Sequence, residues 1–559
     1  MQTLKRRDFL KLAALAGTAV IAAACVPKPA EPTAAPKDDG ETKTEATKAP
    51  TAKPEPTKAE ATTAPKASEF QGEILFGVQG FMPTSEVENP DPKAPKREAM
   101  AVLRKEWQDI HPGVTIKFMQ APSGDYFSWL TTQLIGGTGP DIYWLWLSSL
   151  NQYSEEGKAV PLDDYLELPN KYTPEDSSPW KEHFKAPFLT FAKLNHWGGV
   201  PLDLVATGVY ANIDMLKEVG IDLKIEIDPQ LASPKSWAVM IDWCKKLKDA
   251  GYIAMSAGAG IINQWWITGV LSDQFLNGWL EKYDVLNYNK QVLEILQVGN
   301  LSQEEVVHAY HCMGLDVFKA PEVRAMFQLI KDWAQYMPAG FANPDFGAPM
   351  ELFLTGGLGM VWDGSWSVGT ILQDNRRQFE FTSFWLPPVT KESSEYAPDP
   401  VILPMGVGGY GSTTYGLNPT TIAKGAVDIC VDWLMWITTP EHDEMIVNEV
   451  PSTIPSHKKA KSLPEVENLF VGETRLKAGG YHPISGPYGW FGWQEDKWGD
   501  LLRREETLYF MDEIDEETFF TNLKTEGEVL AKEVIRKAAI QYSDEGTWDL
   551  TQWQCEIKL

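Results

Sequence analysis

Residues 133–166 decide the interpretation of the fold, and they read QLIGGTGPDIYWLWLSSLNQYSEEGKAVPLDDYL. The GGTGP segment predicts the end of a helix, because glycine and proline close helical turns. Residues 141–146 follow as a short aromatic and apolar run that predicts a strand buried between helix layers. Trp144 and Trp146 fall near its carboxyl end, the edge at which open α/β sheets bind ligands. Either tryptophan could instead be a core residue.

This stretch resembles a known family. Its order of glycine turn, Pro140-Asp141, aliphatic strand, Gly157 and a PLD triplet at 161–163 is similar to that of extracellular solute-binding proteins of sugar ABC importers, the maltose-binding-protein-like group. Further landmarks of this family follow in order over residues 70 to about 538. The resemblance implies an α/β, two-lobed periplasmic-binding-protein-like fold (type II), with a ligand cleft between lobes that are joined by crossing strands.

The first part of the globular region alternates strands with helices. The segment GEILFGVQGF reads as a strand that enters a glycine turn, and residues 114–119 read as a second strand. Between them, Met100, Leu103, Trp107 and Ile110 recur at the spacing of one helix face. Alternation of strand and helix predicts a parallel sheet with right-handed connections.

Two later helices carry local signals. Ser236 precedes an apolar stripe that includes Cys244, and it is expected to cap that helix. Residues 423–437 are predicted to form one helix with Cys430 among its apolar residues. Both cysteines are therefore expected to be small core residues.

The resemblance also implies how the chain divides. Residues 196–212 are similar to the family's strand that crosses from the first lobe to the second, and residues 406–417 are similar to the returning strand. The expected lobes are residues 71–200 with 408–455 (lobe 1) and residues 201–407 with 456–559 (lobe 2).

Candidate ligand contacts follow from the resemblance and from side-chain chemistry. Residues 352–366, LFLTGGLGMVWDGSW, are the sharpest match to the family, and Trp366 matches its tryptophan that stacks on sugar. Asp203 lies on the expected crossing strand, and Trp265 is a better match than Trp266 to a further stacking aromatic. The predicted ligand contacts are Gln79, Asp125, Trp144, Trp146, Asp203, Trp265, Trp266, Asp363, Trp366, Tyr410, Trp490 and Trp493.

The amino-terminal segment predicts export and a lipid anchor. Arg6 and Arg7 lie in KRRDFLK, which resembles a twin-arginine signal, and an apolar run ends at Cys25 in AAAC, which resembles a lipoprotein box. Cleavage that leaves Cys25 free, and export by the general pathway, are the alternatives. Residues 26–70 are rich in Pro, Ala, Thr, Lys and acidic residues and are expected to form a disordered leash. Together these features place the folded part at the outer face of the cell membrane.

Composition excludes several partners. The 559 residues include 77 Asp and Glu against 50 Lys and Arg, a net charge of −27 that repels phosphate backbones and anionic lipid. Nucleic acid is therefore not an expected partner, and no internal run is long and uncharged enough to span a bilayer. The 22 tryptophans favour a ligand with apolar faces. No cofactor is expected, and the chain is expected to be a monomer.

The remaining cysteines and a histidine cluster leave two questions open. Cys312 and Cys555 could pair, but the sequence does not establish connectivity. His308 and His311 beside Cys312 would suit a metal, yet no further ligand has the required spacing. Histidines of this kind lie more often in the core or at the surface, so no metal site is predicted.

These observations favour a membrane-tethered receptor that binds a carbohydrate, preferably an oligosaccharide, and delivers it to the permease of an ABC transporter. Tryptophan stacks on the C–H faces of sugars, while Asp, Asn and backbone amides bind their hydroxyls. A peptide or another small solute in the same fold is the alternative. A tethered glycoside hydrolase would need two carboxylates that flank a sugar bond. The sequence contains no GxSxG, HExxH or P-loop motif that would favour other enzymes.

Overall fold

A computed structural model describes most of the chain from Phe70 onward, and these residues belong to one compact unit that spans Ala61–Leu559. The described residues are 70–90, 95–122, 126–145, 150, 153–154, 157–185, 196–257, 267–268, 270–271, 276–283, 285–286, 303–342, 347–399, 408–470, 496–544 and 549–555. The predicted export signal and leash, with Arg6, Arg7 and Cys25, lie outside them.

Strands and helices alternate along the described residues. The strands are β1 (Gly72–Gly77), β2 (Val114–Met119), β3 (Ile142–Leu145), β4 (Val200–Pro201), β5 (Asp203–Asn212), β6 (Ile227–Asp228), β7 (Ser233–Pro234), β8 (Met255–Ala257), β9 (Met360–Gly364), β10 (Phe381–Phe384), β11 (Gly408–Gly411), β12 (Thr414–Leu417) and β13 (Ile454–Pro455). The helices are α1 (Ala99–Ile110), α2 (Tyr126–Ile135), α3 (Asp163–Leu166), α4 (Ile213–Glu218), α5 (Leu223–Glu226), α6 (Trp237–Asp249), α7 (Asn277–Leu280), α8 (Gln303–Cys312), α9 (Pro321–Ala334), α10 (Ala348–Leu354), α11 (Val368–Gln373), α12 (Thr420–Lys424), α13 (Val427–Ile437), α14 (Pro440–Val447), α15 (Pro464–Glu467), α16 (Asp496–Phe510) and α17 (Glu516–Asp544).

The first sheet has the strand order β2-β1-β3-β12-β4. β1 pairs in parallel with β2 and β3, as the alternation of strands and helices predicted, whereas β12 runs antiparallel to β3 and β4. Asp141 fixes the start of β3, because its carboxylate accepts the N–H of Leu75 at 2.8 Å and its own N–H donates to the Leu75 carbonyl. The PD dipeptide thus aligns β3 with β1.

The second sheet has the order β10-β5-β9-β8. Its long strand β5 is buried along its whole length, and it also pairs with β11 and β13 near its start. One residue separates β4 from β5, and two residues separate β11 from β12. The chain therefore passes directly from the first sheet to the second and back, on the two segments that the sequence predicted to cross.

Each sheet has its own apolar core. One cluster joins β1 and β3 to α1 and α13, and two others lie on the two faces of β5 and β9. Many tryptophans belong to these cores. Those that are fully buried are Trp107, Trp180, Trp237, Trp243, Trp333, Trp362 and Trp433. The abundance of tryptophan is therefore partly a property of the core and not of a ligand site alone.

Two details of the predicted helices are wrong. Ile110, which was expected on the buried face of α1, is 55% exposed, because it is the last residue of the helix and projects beyond the core. Residues 423–437 do not form one helix: α12 ends at Lys424, Gly425 takes a left-handed conformation with φ 66°, and α13 starts at Val427. Cys244 and Cys430 are both fully buried, as predicted.

Candidate ligand-binding site

Trp366 follows the end of β9 in the second sheet. Gly364, the last residue of β9, lies opposite Thr207 of β5, and a short 3₁₀ turn, Ser365–Ser367, comes next. The half-buried indole of Trp366 packs on the α-carbon of Gly364, since a β-carbon added there would lie 2.2 Å from ring atoms. One face of the indole is thus fixed against the backbone.

Strand β5 anchors the turn that carries Trp366. The hydroxyl of Tyr210, a fully buried residue, donates to the Gly364 carbonyl at 2.7 Å. The N–H of Ala206 donates to the Ser365 hydroxyl oxygen at 3.4 Å. These bonds connect the turn to the interior of the sheet, so its position follows from the fold.

Asp363 lies beneath the same turn. Its side chain is 2% exposed, and its Oδ1 accepts the N–H of Gly364 at 2.7 Å. Burial raises the pKa of Asp363 to about 6, and the Gly364 amide, the Ser367 hydroxyl and the Trp366 indole partly oppose that rise. The carboxylate therefore interacts with the turn and is not open to solvent.

A group of aromatic side chains stands at the carboxyl end of β3 in the first sheet. Trp144 is half-buried, and the ring centroids of Tyr126 and Phe127 lie 5.2 and 5.6 Å from its own. The Tyr126 hydroxyl donates to the Trp144 carbonyl at 2.9 Å, and Phe127 is 36% exposed. We call Tyr126, Phe127 and Trp144 the aromatic platform. It starts where α2 begins, at the strand edge that the sequence predicted to bind ligand.

The aromatic platform and the Trp366 turn attach to the same strand. The Trp144 indole N–H donates to the Ser412 carbonyl at 3.0 Å, and the Ser412 N–H donates to the Asp203 carbonyl. Ser365 attaches to Ala206, three residues further along β5. Three residues of a strand span about 10 Å. The Trp366 turn and, through Ser412, the aromatic platform are therefore linked to two positions of β5 about 10 Å apart.

Asp203 joins the two crossing segments. Its Oδ1 accepts the N–H of Thr413 at 2.6 Å, between β11 and β12. Burial raises the pKa of Asp203, while the Thr413 amide, hydroxyl groups of Thr453 and Thr413, and the Arg97 guanidinium act to lower it. Burial lowers the pKa of Arg97, and the nearby Glu449 and Asp203 oppose that effect. The Asp203 carboxylate is thus already engaged within the protein, and its contact with a ligand stays a prediction.

Gln79 occupies a strained position two residues after the end of β1. Its φ of 55° is left-handed, which is uncommon for a residue other than glycine. The preceding carbonyl, that of Val78, accepts the Tyr415 hydroxyl at 3.0 Å, so the turn is fixed to the first sheet. Strain of this kind clusters at functional sites, and Gln79 lies at the same end of the sheet as the aromatic platform.

The other predicted contacts are described only in part or not at all. Tyr410 lies in β11, where the backbone alone is described. Those outside the described residues are Asp125, Trp146, Trp265, Trp266, Trp490 and Trp493. Sequence reasoning missed Tyr126 and Phe127, although the signal was present: two aromatic residues at the first positions of a helix that enters this strand edge.

One member of the histidine and cysteine cluster, Cys312, lies in a disulfide. Cys312 is bonded to Cys555 in a disulfide, which settles the pairing that the sequence left open. Among the described residues, no group of three or more His, Cys, Asp and Glu side chains is arranged to hold a metal ion. In the same part of the chain, no helix combines the length and the apolar character that a bilayer span needs.

Comparisons with known proteins identify the fold. The family model of bacterial extracellular solute-binding proteins matches residues 89–442. No curated protein matches the chain significantly. The match includes β2 to β12 and both crossing segments, and it confirms the predicted fold class.

Solved structures agree with that assignment. A chitin oligosaccharide binding protein superposes with a TM-score of 0.55 at 17% identity, covering 83% of this chain and 99% of its own. A probable secreted solute-binding lipoprotein from Streptomyces coelicolor gives 0.54 at 13% identity, with 82% and 98% covered. A cyclic alpha-maltosyl-1,6-maltose binding protein from Arthrobacter globiformis gives 0.52 at 16% identity, with 84% and 100% covered. At such low identity, these likenesses establish the two-lobed fold and not the ligand.

Proposed function

The chain belongs to the family of bacterial extracellular solute-binding proteins, and on that premise we propose that it is a carbohydrate receptor that serves the permease of an ABC transporter. The family places the protein outside the cytoplasm. The observation that carries the proposal is the pair of aromatic surfaces, Trp366 and the aromatic platform, attached about 10 Å apart on one crossing strand.

The chemistry of this arrangement suits sugars. An indole stacks on the apolar C–H face of a pyranose, and the amides and hydroxyls of the adjacent turns can bind its hydroxyl groups. Two separate aromatic surfaces suit a ligand of more than one ring, so we propose an oligosaccharide. Two proteins of similar structure, the chitin oligosaccharide binding protein and the cyclic alpha-maltosyl-1,6-maltose binding protein, support this class of ligand.

Ligand binding would act through closure of the two lobes. A ligand that contacts both aromatic surfaces stabilises the closed form relative to the open one, and a permease can recognise that form. The division near residues 200 and 408 is the proposed boundary between the lobes. Asp203 and Thr413 lie where the chain crosses, and their hydrogen bond would keep the hinge in register.

We also propose that Cys25 carries a lipid that holds the protein at the membrane. The long segment rich in proline and alanine, residues 26–70, would then act as the leash. Fractionation of cells that express the wild type or Cys25→Ser tests this proposal. The wild type is expected in the membrane fraction and the variant in the soluble extracytoplasmic fraction; equal distribution of the two would refute the anchor.

Sugar titration of the purified protein tests the ligand. Chito- and malto-oligosaccharides of two to six units are added while tryptophan fluorescence and Tm are followed. We expect a saturable fluorescence change and a rise in Tm with one series, because a ligand that binds only the folded state stabilises it. No response to either series, with a response to peptides, would assign the fold to another solute. A response that fades as the sugar is cleaved would indicate a hydrolase.

The role of Trp366 is tested by substitution. Trp366→Leu is expected to weaken binding by about 10- to 100-fold, roughly 1.4–2.8 kcal/mol, because it removes the stacking surface. The matched control is Trp436→Leu, since Trp436 is also half-buried but packs between Tyr172 and His442, away from the crossing strands. Equal loss of affinity in both variants would contradict a specific role for Trp366.

A further inference from the structure

Two neighbours of Trp366 determine where its indole lies. Gly364 supports one face of the ring, and Asp363 lies beside the turn that carries it. We infer that Gly364 and Asp363 are positioning residues that hold the Trp366 indole in one orientation, and that neither acts by contact with the ligand. The expected effect of these residues on ligand affinity rests on the proposed function. Their effect on the orientation of the indole in the free protein does not.

The need for glycine at 364 comes from the ring and not from the backbone. Gly364 has φ −110° and ψ 171°, an extended conformation that any residue adopts. A β-carbon there, however, would lie 2.2 to 2.4 Å from three atoms of the Trp366 six-membered ring. Real β-carbons do not approach other atoms so closely, so any side chain at 364 must displace the indole. The absence of a side chain at Gly364 leaves the space that the Trp366 indole occupies.

Asp363 acts on the other side of the turn. Its carboxyl is 2% exposed and accepts the Gly364 N–H, and both the Ser367 hydroxyl and the Trp366 indole stabilise its charged form. A titratable neighbour on β5 is Tyr210, which binds the Gly364 carbonyl and whose pKa is raised by burial and by Asp363. A charged carboxylate accepts the Gly364 N–H more strongly than a neutral carboxyl does.

The orientation of Trp366 should therefore depend on pH. Because Asp363 is buried already in the free protein, a ligand adds little further desolvation, and the attraction of the carboxylate for the turn decides the effect. Protonation of Asp363 as the pH falls below about 6 weakens that attraction. Affinity for a sugar that stacks on Trp366 is expected to fall over the same range.

The free protein gives the first test. Indole N–H resonances are recorded on protein labelled with ¹⁵N-tryptophan, and the signal of Trp366 is assigned from its loss in Trp366→Phe. Gly364→Ala is expected to shift this resonance, while Gly347→Ala, at an open position with φ −88°, is expected to leave it in place. In the wild type the resonance should titrate between pH 7.5 and 5, and in Asp363→Asn it should not.

Ligand affinity gives the second test, with a chito- or malto-oligosaccharide as the probe. Gly364→Ala is expected to bind at least about 10-fold more weakly with little change in Tm, whereas Gly347→Ala binds normally. Wild-type affinity should fall several-fold from pH 7.5 to 5, and that of Asp363→Asn should be flat. An unshifted resonance and normal affinity in Gly364→Ala, or a pH dependence that persists in Asp363→Asn, would overturn the inference.

The two tests separate this inference from the proposed function. If neither sugar binds but the resonance responds to Gly364→Ala and to pH as expected, the positioning roles stand and the carbohydrate proposal fails. If a sugar binds and the resonance is unchanged in Gly364→Ala, the positioning role fails while the carbohydrate proposal stands. Should Gly364→Ala not fold, the pH titration of Asp363→Asn decides.

Discussion

At the scale of single residues, His183 and His457 form a buried pair that is expected to lower the stability of the folded protein at acid pH. Their rings lie edge to face with centroids 5.4 Å apart, and the residues are 3% and 2% exposed. His457 Nδ1 accepts the N–H of Lys459, which leaves Nε2 buried without a hydrogen bond in the described part of the chain. Burial, the neighbouring His183 and Lys459 lower the pKa of His457 to about 4, and burial also lowers that of His183.

The first prediction is a loss of stability in acid that depends on His457. Its folded-state pKa lies below the unfolded value of about 6.5, so the unfolded chain binds more protons between these values. The stabilisation is complete above about pH 6.5 and is lost as the pH falls towards 4, on the order of 3 kcal/mol for this residue. Urea unfolding at pH 7.5, 6, 5 and 4.5 should show a smaller loss for His457→Asn than for the wild type.

The stability of His457→Asn must be compared with that of the wild type, because buried carboxyl groups change stability with pH in the opposite direction to His457. Asp363 and Asp443 have pKa values raised by burial, so their contribution to stability grows as the pH falls. They are present in both proteins and cancel in the difference. His196→Asn, which changes a half-exposed histidine beside Asp163, serves as a control for the same substitution elsewhere in the chain. Equal acid sensitivity of His457→Asn and wild type would contradict the prediction.

Single residues also show which features of the site could be predicted from the sequence. The DGSW segment identified Trp366 as a stacking candidate, and the structure adds the contact between its ring and Gly364. That contact could not be read from the sequence, because Gly364 has an ordinary backbone conformation and looks like any turn glycine. Asp203 was found through its place on the crossing strand, but its bond to Thr413 joins residues that are 210 positions apart.

At the scale of elements, α6 offers a test of a cap that the sequence predicted. Ser236 accepts the N–H of Val239 at 3.4 Å, and Trp237 then packs edge to face on Trp333 at 5.3 Å. Ser236→Ala removes the acceptor and is expected to lower the free energy of unfolding by about 1 kcal/mol. Ser236→Thr keeps a hydroxyl and should cost less. Urea unfolding measures both, with the m-value unchanged; equal stability of Ala and wild type would show that the cap contributes nothing.

Elements with a strong local pattern were predicted well, and their ends less well. Residues 114–119 form the expected strand, and Ser236 caps α6 as expected. The break at Gly425 was missed because the apolar residues on either side fit one helical period, while the left-handed glycine that separates α12 from α13 carries no periodicity.

At the scale of the whole molecule, the family landmarks predicted two lobes with crossing strands, and the sheet order agrees. What could not be predicted is which distant segments meet. β13 joins the start of β5 from about 250 residues further along the chain, and the carboxyl-terminal segment reaches α8. Such contacts are fixed by packing after the elements have formed, and neither periodicity nor spacing encodes them.

The carboxyl-terminal segment is held to α8 by three contacts. Cys555 is bonded to Cys312 at the end of the helix, and the buried indole of Trp553 donates to Glu304 Oε1 at 2.9 Å. The ring of His308 packs edge to face on Trp553, with centroids 5.5 Å apart. Helix α8 is thus held in place by residues that are distant from it in the sequence.

The last prediction concerns this connection. The disulfide joins cysteines 243 residues apart, and closure of so long a loop is worth about 2–4 kcal/mol of stability. The Cys312→Ser/Cys555→Ser double variant should therefore unfold at a lower urea concentration, and its midpoint should not respond to dithiothreitol. The midpoint of the wild type in dithiothreitol should move to that of the variant.

In unreduced, denatured protein Cys244 and Cys430 should react with a thiol reagent, because they are free thiols. Cys312 and Cys555 should react only after reduction. Carboxypeptidase should shorten the reduced protein faster than the oxidised one, since Trp553 then loses the covalent bond that keeps it against Glu304. Identical midpoints with and without reductant would show that the disulfide adds no stability, and that packing of Trp553 alone retains the segment.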